Sequence, residues 1–262
     1  MNSARATSTR VERVVPNALD PGKASWGQAA PPCTDASWLP ALLQASDSFY
    51  PTGSYAHSFG LEGLVQEGAI RDRATLREFL LRSLLPSLRQ TELPLAAQAW
   101  QALALEDWTR IGELCHLSSA LKAPRELRSA SENIGRQRAE LAASLHSHPL
   151  AKEYLRRAQA QGWPFSSAVS SALEGRVLGA PQAAVLSGVY YAAIAAQLSA
   201  AMKMLRLGQN AVQSLLTEAL AAAPAIIAAA ERMPGDEIGW FNPWLDIAAA
   251  RHETADARMF IS

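Results

Sequence analysis

The residues with reactive side chains are few, and their spacing argues against a reaction centre. The five histidines are the leading candidates for metal ligands. His146 and His148 stand two apart, which on a helix turns them away from each other. Only an extended segment would aim both at one ion, and a solvated helix end is the simpler reading. His252-Glu253 begins like a zinc-hydrolase signature, but Asp256 stands where the second histidine is needed one turn later. His57 lies beside Ser54, Tyr55 and Ser58, a set that could supply a nucleophile and its base, yet no strand precedes them to build a strained elbow and no oxyanion loop is evident. Gly53, Gly60 and Gly63 lack the Lys-Ser/Thr that completes a phosphate loop. Cys33 and Cys115, the two cysteines, give neither a metal spacing nor a disulfide framework and suit a reducing cytosol. No catalytic set emerges, which points to a binding or scaffolding role. The alternative is a carrier that holds metal directly through His57, His146, His148 or His252.

The elements that must position these side chains are helical. The longest uncharged stretch runs from Val177 to Met202 and ends in the turn Lys203-Met204-Leu205-Arg206-Leu207-Gly208-Gln209. Its apolar positions Leu186, Val189, Tyr190, Ile194, Leu198 and Leu205 recur at three and four. Pro181 near its start and Gly208 near its end fit one central helix, wrapped by protein on nearly every side. A membrane span of that length is the competing reading, but the run is rich in Ala, Ser and Gly, contains Gln182 and Gln197, and has no second candidate beside it. Tyr190 and Tyr191 are consecutive and cannot both face one core, so one of them faces a partner.

Other helices are expected over Trp38 to Ala45, from about Ala56 to Gly68, from Asp72 or Arg73 to a kink at Pro86, over Thr91 to Leu105, and over Asp107 to Leu121. A charged amphipathic helix over Arg125 to Leu145 carries Leu127, Ile134 and Leu141 seven apart, and further helices follow to Gln161, over Ser166 to Leu178, and from Gln209 to Met233. Asp246 to Asp256 reads as a last short helix. Residues 258–262, Arg-Met-Phe-Ile-Ser, read as an extended end with little local structure to hold it. No strong alternating run of β-branched residues is present, so the expected fold is all-α: a single helical domain over residues 36–262, behind a Pro- and Gly-bearing tail over residues 1–35 that reads as disordered. Lys plus Arg and Asp plus Glu number 24 each, so bulk charge suggests no nucleic-acid partner. No apolar segment of signal-peptide length opens the chain, and the expected compartment is the cytoplasm.

The blocks Leu43-Gln44-Ala45-Ser46-Asp47-Ser48 and Pro51-Thr52-Gly53-Ser54-Tyr55-Ala56-His57-Ser58-Phe59-Gly60-Leu61-Glu62 resemble the N-terminal signature of UreF, the urease accessory protein family. Three further blocks resemble it in the same order: Arg125-Glu126-Leu127-Arg128 with Ser131 and Ile134-Gly135-Arg136; Leu207-Gly208-Gln209 with Gln213; and Asp246-Ile247 with His252-Glu253 and the final Arg258 to Ser262. The resemblance spans about residues 38–262. It implies an all-α, dimeric, non-enzymatic protein that joins the accessory protein UreD and recruits the GTPase UreG to apo-urease, so that nickel reaches the active site. It also implies motif roles for Gly53, His57, Ser58, Gly60 and Glu62, a dimer-facing Tyr191, a GTPase-facing Lys203, and partner contacts at Arg206, Gln209, Arg258, Phe260 and Ser262. Two departures stand out: Ser166-Ser167-Ala168-Val169 occupies the place of a His-Pro pair in many relatives, and Thr52 replaces a more usual apolar residue.

Overall fold

A computed structural model of the chain describes residues 36–255 and 257–261. The expected N-terminal tail, Asp256 and Ser262 lie outside the described residues. Among those described, every regular element is a helix or a helical turn, as the periodicity predicts. In chain order the helices are α1 (Trp38–Ser46), α2 (Leu61–Gln66), α3 (Arg73–Phe79), α4 (Leu85–Gln90), α5 (Glu92–Ala104), α6 (Trp108–Ala120) and α7 (Arg125–His146). They continue with α8 (Pro149–Gln161), α9 (Ser167–Val177), α10 (Gln182–Met204), α11 (Gln209–Ala221), α12 (Ala223–Glu231) and α13 (Pro243–His252).

Local chemistry sets most boundaries. Asp72 and Thr75 form a reciprocal capping box at the start of α3. Asp107, Ser166 and Asn242 each accept a backbone N–H at the start of α6, α9 and α13. His148 does the same through its ring, Nδ1 accepting from Leu150 N at 3.2 Å, while His146 is exposed at the end of α7. The kink expected at Pro86 takes another form. Pro86 has no N–H to offer one turn back, and the chain widens into a π turn over Leu80–Leu84 that joins α3 to α4 without a break.

The core gathers around α5 and α9, with α7 and α10 packed across them. Leu93, Leu95 and Leu103 of α5, Leu173 of α9, and Tyr154 of α8 are enclosed. The central helix differs from expectation in one respect. Val185, Leu186, Tyr190, Ile194, Leu198 and Ala201 are buried, and Tyr190 Oη donates to Ala219 O at 2.6 Å. Its opposite face is not wrapped: Ala183, Ser187, Tyr191 and Met202 are exposed. Small side chains make this possible, since an exposed Ala or Ser leaves little apolar surface in water. By length and composition α10 could cross a bilayer, and the bent pair α11 and α12 passes the same test taken together, but the inner face of α10 belongs to the core of this domain.

Candidate functional site

The signature loop between α1 and α2 is built by a sequence of tight turns. Gly53 takes φ 79° ahead of a 3-10 turn over Ser54–Ala56. Phe59 at φ 51° and Gly60 at φ 86° then reverse the chain in the left-handed region, so α2 starts at Leu61 and not near Ala56 as the sequence suggests. At Gly60 a side chain would meet Leu245 and Ala249 of α13, and at Gly63 a Cβ would lie 2.5 Å from Ala248 O. The absence of side chains at these two positions therefore lets α2 and α13 pack backbone to backbone.

That contact brings Glu62 and His252 together inside the protein. His252 is 1% exposed and Glu62 5%. His252 Nε2 lies 2.9 Å from Glu62 Oε2, and its Nδ1 lies 3.0 Å from Glu126 Oε2 on α7. Glu62 accepts two more hydrogen bonds from the chain's end, from Met259 N at 2.7 Å and Phe260 N at 3.0 Å. Burial works to raise its pKa, but these backbone donors and His252 outweigh it and hold the carboxyl below its usual range. Nearby, burial lowers the pKa of His57, opposed by the charge of Glu126.

The extended end is thus held, contrary to the expectation from sequence. Arg258 Nη1 donates to Glu126 Oε1 at 2.7 Å, Gln66 Nε2 donates to Ala257 O at 3.0 Å, and Ile261 N donates to Ala56 O at 2.9 Å. Phe260 is 6% exposed, while its neighbours Met259 and Ile261 are 61% and 63% exposed. Lys203, at the end of α10, places Nζ 3.4 Å from the centre of the Tyr55 ring and 5.0 Å from that of Phe260. The structure therefore unites Glu62, Lys203, Arg258 and Phe260, with His57 and Ser58 in the adjoining loop. Arg206 is exposed in the turn that follows, Gln209 is exposed as the first residue of α11, and Tyr191 lies on the open face of α10.

A second buried polar cluster had not been anticipated. Glu174 of α9 pairs with Arg138 of α7 and accepts from the Tyr50 hydroxyl, and Arg138 Nη2 donates to Ala45 O at 3.1 Å. Burial, and after it the Glu174 charge, raises the Tyr50 pKa strongly. The only signal in the sequence is Glu174, a lone acid in the run from Trp163 to Gly175. This cluster borders a cavity of about 270 Å³, also lined by Val189, Gln197 and Leu245. Among the described residues no three His, Cys, Asp or Glu side chains are grouped so as to hold a metal ion.

Fold and site together define an all-helical protein whose distinctive loop before α2 grips residues 257–261 of the same chain. Residues 70–221 match the family model for UreF. A urease accessory protein UreF from Azoarcus sp. (strain BH72) is 35% identical over 222 residues, 84% of this chain and 94% of that one. Another, from Arthrobacter sp. (strain FB24), is 31% identical over 226 residues, 86% of this chain and 98% of that one. A bifunctional urease accessory protein UreEF from Bordetella bronchiseptica is 31% identical over 240 residues, 88% of this chain and 53% of its own. The chain belongs to the UreF family of urease accessory proteins.

Proposed function

We propose that the chain is a non-enzymatic cytoplasmic scaffold for urease maturation. As a homodimer, it joins a UreD-type accessory protein and a UreG-type GTPase on apo-urease, and nickel reaches the active site through that assembly. Family membership supports the process. A relative named as a bifunctional UreEF protein supports close work beside other accessory factors. The observation that carries the scaffold reading is the uncharged open face of α10, with Tyr191 41% exposed on it. Such a face is suited to being covered by a second helix, and small residues permit close approach. In this reading Tyr191 belongs to the dimer contact. Lys203, Arg206, Gln209, Arg258, Phe260 and Ser262 serve the partner side, some of them by shaping the docked end. Gly53, His57, Ser58, Gly60 and Glu62 build the loop beneath that end.

Co-purification tests this directly. The tagged chain, expressed with urease subunits, a UreD-type protein and a UreG-type GTPase, is expected to retain all of them on a column, as a complex containing two copies of the chain. Recovery of the chain alone, under conditions where the other proteins are soluble, would oppose the proposal.

A further inference from the structure

Polar groups inside a protein find partners, and Gln197 is an exception. It is the only amide on the buried side of α10, it is 3% exposed, and its Oε1 has no hydrogen-bond partner among the described residues. Leaving a buried polar atom so is costly, and a bound molecule would remove the cost. Gln197 lines the cavity of about 270 Å³ that the Glu174 cluster borders. Most other polar groups on that wall are engaged. Glu174 is held by Arg138 and the Tyr50 hydroxyl, and Glu92 of α5 by Lys122 at 2.7 Å and by Ser167 Oγ, which donates to it at 3.2 Å. The hydroxyls of Ser46, Thr91 and Ser171 each donate at 2.8 Å to the carbonyl four residues back. The rest of the wall is largely aliphatic, with Leu42, Val185, Val189 and Leu245 on it. Trp240, 39% exposed, also lines the cavity, which therefore reaches solvent on that side.

We propose that the cavity binds an uncharged aliphatic molecule with a primary amide head, the head paired with Gln197 and the chain lying along the aliphatic wall. An amide presents a donor and an acceptor on one edge, so a second amide matches it with two hydrogen bonds. The match holds whichever way round the oxygen and nitrogen of Gln197 stand. Charge disfavours the alternatives. Arg138 and Lys122 are matched by Glu174 and Glu92, so no cation is left over to hold a carboxylate. Asp246, half-buried on the same wall with its pKa raised by burial, opposes an anion further. An ammonium would lose more hydration in this aliphatic space than one half-buried carboxylate returns. An engineered cavity of about 150 Å³ takes up benzene, so this one has room for roughly eight to ten non-hydrogen atoms. The inference concerns the isolated chain and does not rest on the urease assembly.

Hexanamide, hexanoate and hexylammonium are the probes, equal in length and different in head group. Each is titrated into the full chain labelled with nitrogen-15, and the side-chain amide resonances of Gln197, assigned by their loss in Gln197→Leu, are followed. Hexanamide is expected to move those resonances and to bind at least about tenfold more tightly than either ion. Gln197→Leu should weaken hexanamide binding at least about tenfold, since two hydrogen bonds are lost, while its melting temperature does not fall, because leucine leaves no amide to satisfy. Ala193→Leu, which fills part of the aliphatic space, should weaken binding by a similar factor. Three results overturn the proposal: no binding of hexanamide, which leaves water as the only content of the cavity; an ion binding as tightly as the amide; or unchanged hexanamide affinity in either variant. A lower melting temperature in Gln197→Leu would show that the amide has a partner within the chain, and would overturn it as well.

Discussion

Replacing Gly63 by alanine tests whether the grip on the chain end depends on the backbone contact of α2 with α13. The added Cβ would stand 2.5 Å from Ala248 O and 3.0 Å from Ala248 C. Both are backbone atoms, so no flexible side chain can yield. Restoring an ordinary separation requires α13 to move by roughly 0.5–0.9 Å. Part of that motion is transmitted to His252, on the last turn of the same helix, whose Nε2 lies 2.9 Å from Glu62. A full shift away from α2 would stretch the bond to beyond about 3.4 Å, where little of it remains. Overpacking costs about 1–3 kcal/mol, and replacing a helical glycine returns up to about 1 kcal/mol. The expected loss in global stability by urea denaturation is therefore about 0–3 kcal/mol. The local effect should be larger in proportion: amide exchange at Met259 and Phe260 rises at least about tenfold, because their acceptor loses its support. Unchanged exchange at both amides, in a variant whose denaturation midpoint has fallen, would refute the link from Gly63 through His252 to the end.

Other expectations follow from single contacts. Lys203→Met keeps the length of the stem and deletes the cation held against two rings, at roughly 0.5–1 kcal/mol for each ring. Only the Phe260 ring belongs to the end, so exchange at Phe260 should rise about twofold to fivefold with helicity unchanged; no rise would mean that the ammonium does not hold the end. Tyr191→Ala should lower the mass found by light scattering from dimer toward monomer, with helicity retained, and an unchanged dimer would remove Tyr191 from the interface. The depressed pKa of Glu62 gives a pH dependence of definite sign. Its contribution is present in full above the ordinary value of 4.5 and is lost as pH falls through the lower folded value. His57, held neutral by burial, weakens stability in the same direction but from a higher pH, as the unfolded chain begins to take protons near 6.5. Melting temperature should thus fall in acid and not on the alkaline side of 6.5 through these groups, and a rise in acid would contradict both assignments.

The helices were legible because their signals are local. Asp72 and Asp107 mark starts through their own side chains, and Leu127, Ile134 and Leu141 mark one face by spacing alone, whereas the last helix starts at Pro243 behind the Asn242 cap and not at Asp246 as its sequence suggests. The start of α2 is not legible because Phe59 takes a left-handed conformation that bulky residues rarely adopt. The open face of α10 was misread for a different reason: an uncharged helix looks the same in sequence whether its small residues are buried by the chain or left for a partner. The site itself was half legible. The signature loop and Lys203 stand out in the sequence, but the end reads as a segment with little local structure to hold it, because its anchors Glu62 and Glu126 stand far away in sequence. His252 was weighed as a fragment of a metal signature, and only the fold shows it bridging two carboxylates.

The central claim is that this chain is needed for nickel to enter urease. The direct measurement is the nickel content of urease purified from cells that express the urease subunits with UreD-type and UreG-type proteins, with and without this chain. Metal is quantified by mass spectrometry alongside ureolytic activity. The account predicts nickel-poor, inactive urease when the chain is omitted, and nickel-loaded, active enzyme when it is supplied. Equal nickel content and equal activity in the two preparations would contradict it.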